Sequence, residues 1–130
     1  MPHTTGLFEV KLTPQEDNLD SALGRSILDK QFQGALEATS RGQMLSTMTA
    51  VKGSAGYVAI EMVNGTLDGR AGAFALQHNG IMDRGNPSLT IVVVPDSGTG
   101  QLAGIEGSMK IEIADGKHTY SFEYTLPDTN

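Results

Sequence analysis

Apolar and polar residues alternate along most of this chain, and glycine-containing turn signals separate the alternating runs. A period of two predicts β-strands that bury one face. Two-residue turns are predicted at 41–42, 52–53, 68–69 and 115–116, and the last two are Asp-Gly, a strong hairpin signal. The pattern predicts an all-β fold, a single antiparallel barrel of about eight strands in an up-and-down meander, because closure hides the edge strands.

The start of the chain is the place where a helix signal interrupts this pattern. A first strand is predicted over 4–12, and residues 13–16 (Thr-Pro-Gln-Glu) then have the cap, proline and acidic residue typical of a helix start. We expect at most one short helical turn there. The 130 residues then form one barrel domain, with residues 1–4 and 127–130 expected to fray.

The turn at 115–116 fixes the register of the last hairpin, because a two-residue turn leaves no freedom in the pairing of its strands. Ile113 is then opposite His118, and one face of the hairpin is apolar while the other is polar. The interior face carries three aromatic residues, Tyr120, Phe122 and Tyr124.

The turn at 68–69 places two ionisable side chains close together. It is preferred to a turn at 64–65 because it pairs the two flanking strands over their full length. In this register Glu61 and His78 are diagonal neighbours on one face, about 7 Å apart at the backbone and within side-chain reach.

The turns at 41–42 and 52–53 add further polar groups to that face. They bring Glu37 and Tyr57 to the side that also carries Phe74. If this face is the interior, it is apolar with a few converging polar groups, which is typical of a small-molecule pocket.

The opposite face of the same strands is also apolar, and a monomer would expose it. We therefore predict a homo-oligomer that buries this outer face. Its residues are Phe32, Leu36, Leu45, Val58, Ile60 and Met62.

Composition removes several classes of function. The net charge of −6 and the absence of a basic cluster argue against nucleic acid and anionic membranes as partners. The absence of cysteine excludes disulfides and thiol chemistry. The three histidines (His3, His78 and His118) are too widely spaced to predict a metal site, and no motif for an organic cofactor is present. With no signal peptide and no apolar run of about 20 residues, a cytoplasmic location is the default expectation.

The chain also resembles a bacterial family of proteins of unknown function. The resemblance rests on residues 5–10, 57–61, 65–70, 72–78, 94–104 and 118–126. It implies a fold similar to allene oxide cyclase, an eight-stranded barrel with little helix, and it implies no activity. Allene oxide cyclase and the dirigent proteins share that barrel and direct the cyclisation or coupling of apolar substrates in its lumen, which here is an analogy of fold alone.

Two candidate catalytic residues, Glu61 and His78, stand out. A buried carboxylate beside an imidazole can act as general base and acid near neutral pH. The alternative is that the two groups only satisfy each other in the barrel wall.

The candidate ligand-binding residues have similar alternatives. Tyr57, Tyr120 and Tyr124 could orient a ligand through their hydroxyls, or they could be core aromatics. Phe74, on the same face, is expected to contact the ligand. Arg70 could bind a carboxylate at the barrel end, or it could be a solvated turn charge. A bulge near Gly34 would turn Glu37 outward.

Three functions follow from these candidates. The first is a barrel that binds a small apolar molecule in its lumen. The second is a cofactor-independent isomerase or cyclase in which Glu61 is the base or stabilises charge and His78 relays the proton. The third is a ligand-free oligomeric structural protein with a filled lumen.

Overall fold

A computed structural model describes residues 2–16 and 22–127. Within these ranges the chain forms nine β-strands and no helix, so no helix there could cross a membrane. The strands are β1 (His3–Gln15), β2 (Leu23–Gly34), β3 (Leu36–Met48), β4 (Ala55–Leu67), β5 (Arg70–Asp83), β6 (Asn86–Val93), β7 (Thr99–Gly100), β8 (Glu106–Ala114) and β9 (Lys117–Thr125).

The strands close into an antiparallel barrel. Each of β1 to β5 pairs with the next strand, β6 pairs with β8, β8 with β9, and β9 returns to β1. The short β7 is an extra strand that pairs with β5. The predicted fold class, an all-β barrel of eight strands, is therefore confirmed.

The helix start predicted at residues 13–16 is wrong. Residues 13–15 continue β1, where they pair with residues 25–27 of β2. Pairing with β2 gives the backbone N–H and C=O groups hydrogen-bond partners, so they do not need a helix cap. Residues 17–21, over which a helical turn would have continued, lie outside the described residues.

The ends of the chain were expected to fray. The structure pairs His3 with Glu123, and the Pro2 carbonyl accepts a hydrogen bond from the Tyr124 amide. Residues 1 and 128–130 lie outside the described residues.

Both Asp-Gly turns lie where the sequence predicts them. Leu67 is paired with Arg70, and Asp68 and Gly69 both have positive φ, 50° and 81°. This backbone is the one that a two-residue hairpin turn needs, and Asp-Gly adopts it readily. The pairing of Ile113 with His118 confirms the last hairpin in the same way.

The turn predicted at 41–42 is wrong, because Gly42 lies inside β3. It is paired with Glu61, and a Cβ at this position would lie 2.2 Å from the carbonyl oxygen of Ile60. Glycine is needed here for close approach of two strands and not for a turn. The chain turns instead after Gly34, so Glu37 is paired with Thr66 and exposed. The prediction that Glu37 faces the interior is therefore wrong.

The turn predicted at 52–53 is part of a longer loop, residues 49–54. The register of β3 against β4 is therefore two residues from the predicted one, and Tyr57 is paired with Ser46 instead of Met48. A shift of two keeps every side chain on its predicted face, since the side-chain period of a strand is two.

We predict that Gly42→Ala lowers the free energy of unfolding by about 1–3 kcal/mol, because the new methyl group collides with the backbone of β4. Gly56→Ala is the matched control, since its Cβ would make ordinary contacts, with Ile81 Cδ1 at 3.5 Å and the Gly80 carbonyl oxygen at 3.8 Å. Urea denaturation of both variants is the measurement. Equal stability of the two variants would show that the close approach is unimportant.

The two ends of the barrel differ. At one end, which we call the closed end, the fully buried Leu102 and Ile105 of the β6–β8 connection pack against the core. At the other end, which we call the open end, the strands β1 to β5 continue past the core. Phe32 and Leu36 are core residues at 1% exposure, so their predicted place on the outer face is wrong. The missed turn at Gly34 is the reason.

Candidate functional site

A buried carboxylate lies at the centre of the most polar part of the barrel interior. Glu61 of β4 is 0% exposed, and among the described residues three side chains, from β2, β3 and β5, contact it. Lys30 Nζ lies 2.8 Å and His78 Nε2 lies 2.6 Å from Oε2, and the Ser40 hydroxyl donates to Oε1 at 2.8 Å. The predicted proximity of Glu61 and His78 is therefore present in the structure, from the predicted register of β4 and β5.

The charges in this cluster balance. Burial raises the pKa of Glu61, but the His78 hydrogen bond and the charge and hydrogen bond of Lys30 outweigh it and lower the pKa to about 2. Lys30 Nζ also lies 5.3 Å from the ring centroid of Phe8 and 5.9 Å from that of Phe32. These rings add a favourable cation–π contact to the ion pair.

Tyr57 extends the cluster toward the open end of the barrel. Its hydroxyl lies 3.4 Å from His78 Nδ1, and its ring covers Gly80, where a Cβ would lie 2.2 Å from Cε1. Burial and the charge of Glu61 raise the pKa of Tyr57, so the side chain stays a neutral phenol. Tyr57 is half-buried, whereas the other four members of the cluster are buried.

The open end has an apolar rim. Four of its apolar side chains occupy inward-facing positions on β1, β5, β6 and β8 and are still substantially exposed: Leu12 (48%), Met82 (39%), Leu89 (41%) and Ile113 (67%). Exposure at inward-facing positions means that the described part of the chain, residues 2–16 and 22–127, does not cover these four side chains. We call this set of four residues the mouth, and Tyr57 and His78 lie below it.

The other predicted ligand-binding residues lie toward the closed end. The Tyr120 hydroxyl accepts a hydrogen bond from the Leu36 amide and donates to the Gln33 carbonyl, which ties down the β2–β3 turn. The Tyr124 hydroxyl bonds to Asp68; burial and this carboxylate raise the pKa of Tyr124 to about 12.

Phe74 and Arg70 complete that group. Phe74 is buried and stacks on Phe122, and Arg70 is exposed beside the 68–69 turn. The structure therefore brings Tyr57, Glu61 and His78 together, and it does not bring Tyr120, Tyr124, Phe74, Arg70 or Glu37 to them.

We predict that Tyr120→Phe lowers the free energy of unfolding by about 1–3 kcal/mol, because the buried Leu36 amide loses its partner. Thr39→Val, which removes a hydroxyl from the exposed face of β3, is expected to change it by less than about 0.5 kcal/mol. Urea denaturation compares them. A loss no larger for Tyr120→Phe than for Thr39→Val would contradict the role of this hydroxyl.

Lys30 and Ser40 are the members of the cluster that the sequence reasoning missed. Lys30 lies two residues from both Leu28 and Phe32, so the alternation of β2 does put it on an inward face. A lysine in that pattern, with a carboxylate on another inward face, is a signal of a buried ion pair.

The outer face of β3 and β4 is apolar, as the sequence predicts. Leu45, Val58, Ile60 and Met62 are each 50–54% exposed and line a groove of about 800 Å³. Arg25 and Arg41 border this groove, and Arg41 forms an exposed ion pair with Asp29 at 3.0 Å.

Comparison with known proteins decides the family. The family model of DUF3224, described as proteins of unknown function, matches residues 4–124. The chain belongs to the DUF3224 family. The crystal structure of a DUF3224 protein from Shewanella oneidensis MR-1, also of unknown function, is 53% identical over 99% of both chains, with a TM-score of 0.94. No curated protein matches the chain. The family and the barrel implied by the resemblance are thus confirmed, and both comparisons describe the function as unknown.

Proposed function

We propose that this DUF3224 protein binds a small, largely apolar molecule at the open end of its barrel. The observation that supports this most directly is the mouth: four inward-facing apolar side chains stay exposed above a hydrogen-bonded polar cluster. Apolar walls with few convergent polar groups are typical of ligand sites. The apolar body of the ligand would contact the mouth, and a polar group would reach Tyr57.

Within this proposal Glu61 has a positioning role. Both of its oxygens already accept hydrogen bonds, and its pKa of about 2 makes it a weak base. Glu61 holds His78, and His78 holds the Tyr57 hydroxyl. If a bound molecule were isomerised or cyclised here, Tyr57 would be the group that touches it.

The proposal is tested with N-phenyl-1-naphthylamine, a neutral apolar dye whose fluorescence rises in apolar sites. We expect the wild-type protein to bind it and Ile113→Glu to weaken binding at least about tenfold, because the new carboxylate in the mouth must lose water when the dye binds. Ile60→Glu, the same change at a similarly exposed position on the outer face, is the control and should bind like the wild type.

Two results would contradict the proposal. One is that the wild-type protein does not bind the dye. The other is that Ile60→Glu weakens binding as much as Ile113→Glu does, which would place the dye on the outer face.

We also propose that the outer apolar face packs against a second copy of this chain. Val58, Ile60 and Met62 form one row of outward-facing side chains along β4. A two-fold axis through Ile60 would therefore place this row against the same row of the second copy. The Arg41–Asp29 pair at the border offers one charge of each sign, which suits an interface in which both copies use the same patch.

Light scattering at micromolar concentration tests this second proposal with the same two variants. We expect a dimer for the wild type and Ile113→Glu, and a monomer for Ile60→Glu. A monomeric wild-type protein would rule the interface out.

A further inference from the structure

The donors and acceptors of the hydrogen-bond cluster can be assigned one after another, starting from Glu61. An ionised carboxylate only accepts hydrogen bonds, so each of its three partners must donate. His78 Nε2 lies 2.6 Å from Oε2 and must therefore carry a hydrogen. The pKa of Glu61, about 2, supports the ionised form.

The other ring nitrogen of His78, Nδ1, faces the Tyr57 hydroxyl. The Lys30 ammonium already balances the charge of Glu61 at 2.8 Å, so an imidazolium would be a second buried cation without its own counter-charge. In the neutral ring with its hydrogen on Nε2, Nδ1 has a lone pair and accepts. The Tyr57 hydroxyl must then donate its hydrogen to Nδ1.

The Tyr57 hydroxyl can offer a molecule in the mouth only a hydrogen-bond acceptor. Its hydrogen is committed to His78, so the phenol oxygen has only lone pairs left for a molecule in the mouth. Ser46, which is paired with Tyr57, is on the same face, and its hydroxyl can rotate to donate or accept. Tyr57 is therefore the group that discriminates between ligands that donate a hydrogen bond and ligands that can only accept one.

We infer that the site selects apolar molecules that carry a hydrogen-bond donor, such as an alcohol or a phenol, over analogues that carry an ether or a ketone. This inference rests on the proposed ligand site at the mouth. It adds to that site the chemical class of its ligand.

Three neutral probes of similar size test it: 2-naphthol, 2-methoxynaphthalene and 2-acetylnaphthalene. Only 2-naphthol can donate a hydrogen bond. We expect the wild-type protein to bind 2-naphthol roughly fivefold more tightly than the other two, the effect of one net hydrogen bond. In Tyr57→Phe the preference should vanish while the affinities for the other two probes change little. Urea midpoints of both proteins confirm that the variant is folded.

The outcomes separate the inference from the proposed function. Equal affinity of the wild type for all three probes overturns the inference and leaves the ligand site in place. A preference for 2-acetylnaphthalene, or a preference for 2-naphthol that persists in Tyr57→Phe, also overturns it. Failure of the wild type to bind any of the three overturns both.

A second measurement addresses the wild-type protein alone. Two-bond ¹H–¹⁵N NMR spectra of histidine rings report which nitrogen carries the hydrogen. We expect His78, assigned with His78→Gln, to be protonated on Nε2 alone at neutral pH. Protonation on Nδ1 would overturn the inference.

Discussion

Replacing Glu61 with alanine is expected to lower the free energy of unfolding by about 3–5 kcal/mol, because Lys30 would remain as a buried charge without a partner. The hydrogen bonds from Ser40 and His78 would be lost as well. Urea denaturation at neutral pH measures the change. Glu37→Ala is the control, since Glu37 is exposed, and it should change the value by less than about 0.5 kcal/mol.

A double variant shows whether the loss comes from the unpaired charge. Lys30→Met with Glu61→Gln removes both charges, and it keeps an oxygen that can accept from Ser40 or His78. We expect it to be more stable than Glu61→Ala, because replacing both members of a buried pair avoids the unpaired charge. If Glu61→Ala lost no more stability than Glu37→Ala, the cluster would not hold the barrel together.

The protein is also expected to lose stability in acid through Glu61. Its pKa is about 2 in the folded state against an ordinary value of 4.5, chiefly because the His78 hydrogen bond and Lys30 outweigh the cost of burial. A lowered pKa stabilises the fold above pH 4.5, and this stabilisation is lost as the pH falls toward 2. The difference corresponds to about 3 kcal/mol.

Urea denaturation at several pH values between 6 and about 2.5 measures this effect. We expect the stability difference between the wild type and Glu61→Gln to shrink as the pH falls, because glutamine does not titrate. A difference that stays constant over this range would mean that the pKa of Glu61 is not lowered by folding.

The sequence was sufficient for the strands whose turns are two residues long. Asp68-Gly69 fixes the register of β4 and β5, and from this register follows the proximity of Glu61 and His78. Period-two alternation also placed the interior aromatic residues of β9 correctly.

The sequence was insufficient where glycine serves close packing. Gly42 has the sequence context of a turn, but its missing side chain makes room for the backbone of β4. Because a turn was predicted at 41–42, Glu37 was assigned to the inner face and Leu36 to the outer face, and the structure has the reverse. The assignment of Tyr120 and Tyr124 to a ligand site failed to anticipate their partners, since both hydroxyls bond to turns that only the closed barrel brings near.

The methionines are natural reporters of a ligand site at the mouth. Met44 and Met82 face inward near the open end, Met62 is on the outer face, and Met109 is buried in the core. The most direct test is a titration with 2-naphthol, followed by NMR of ¹³C-labelled methionine methyl groups. We expect the signals of Met44 and Met82 to shift with saturation while those of Met62 and Met109 stay in place. Saturable shifts of Met62, with none at Met44 and Met82, would contradict a ligand site at the mouth.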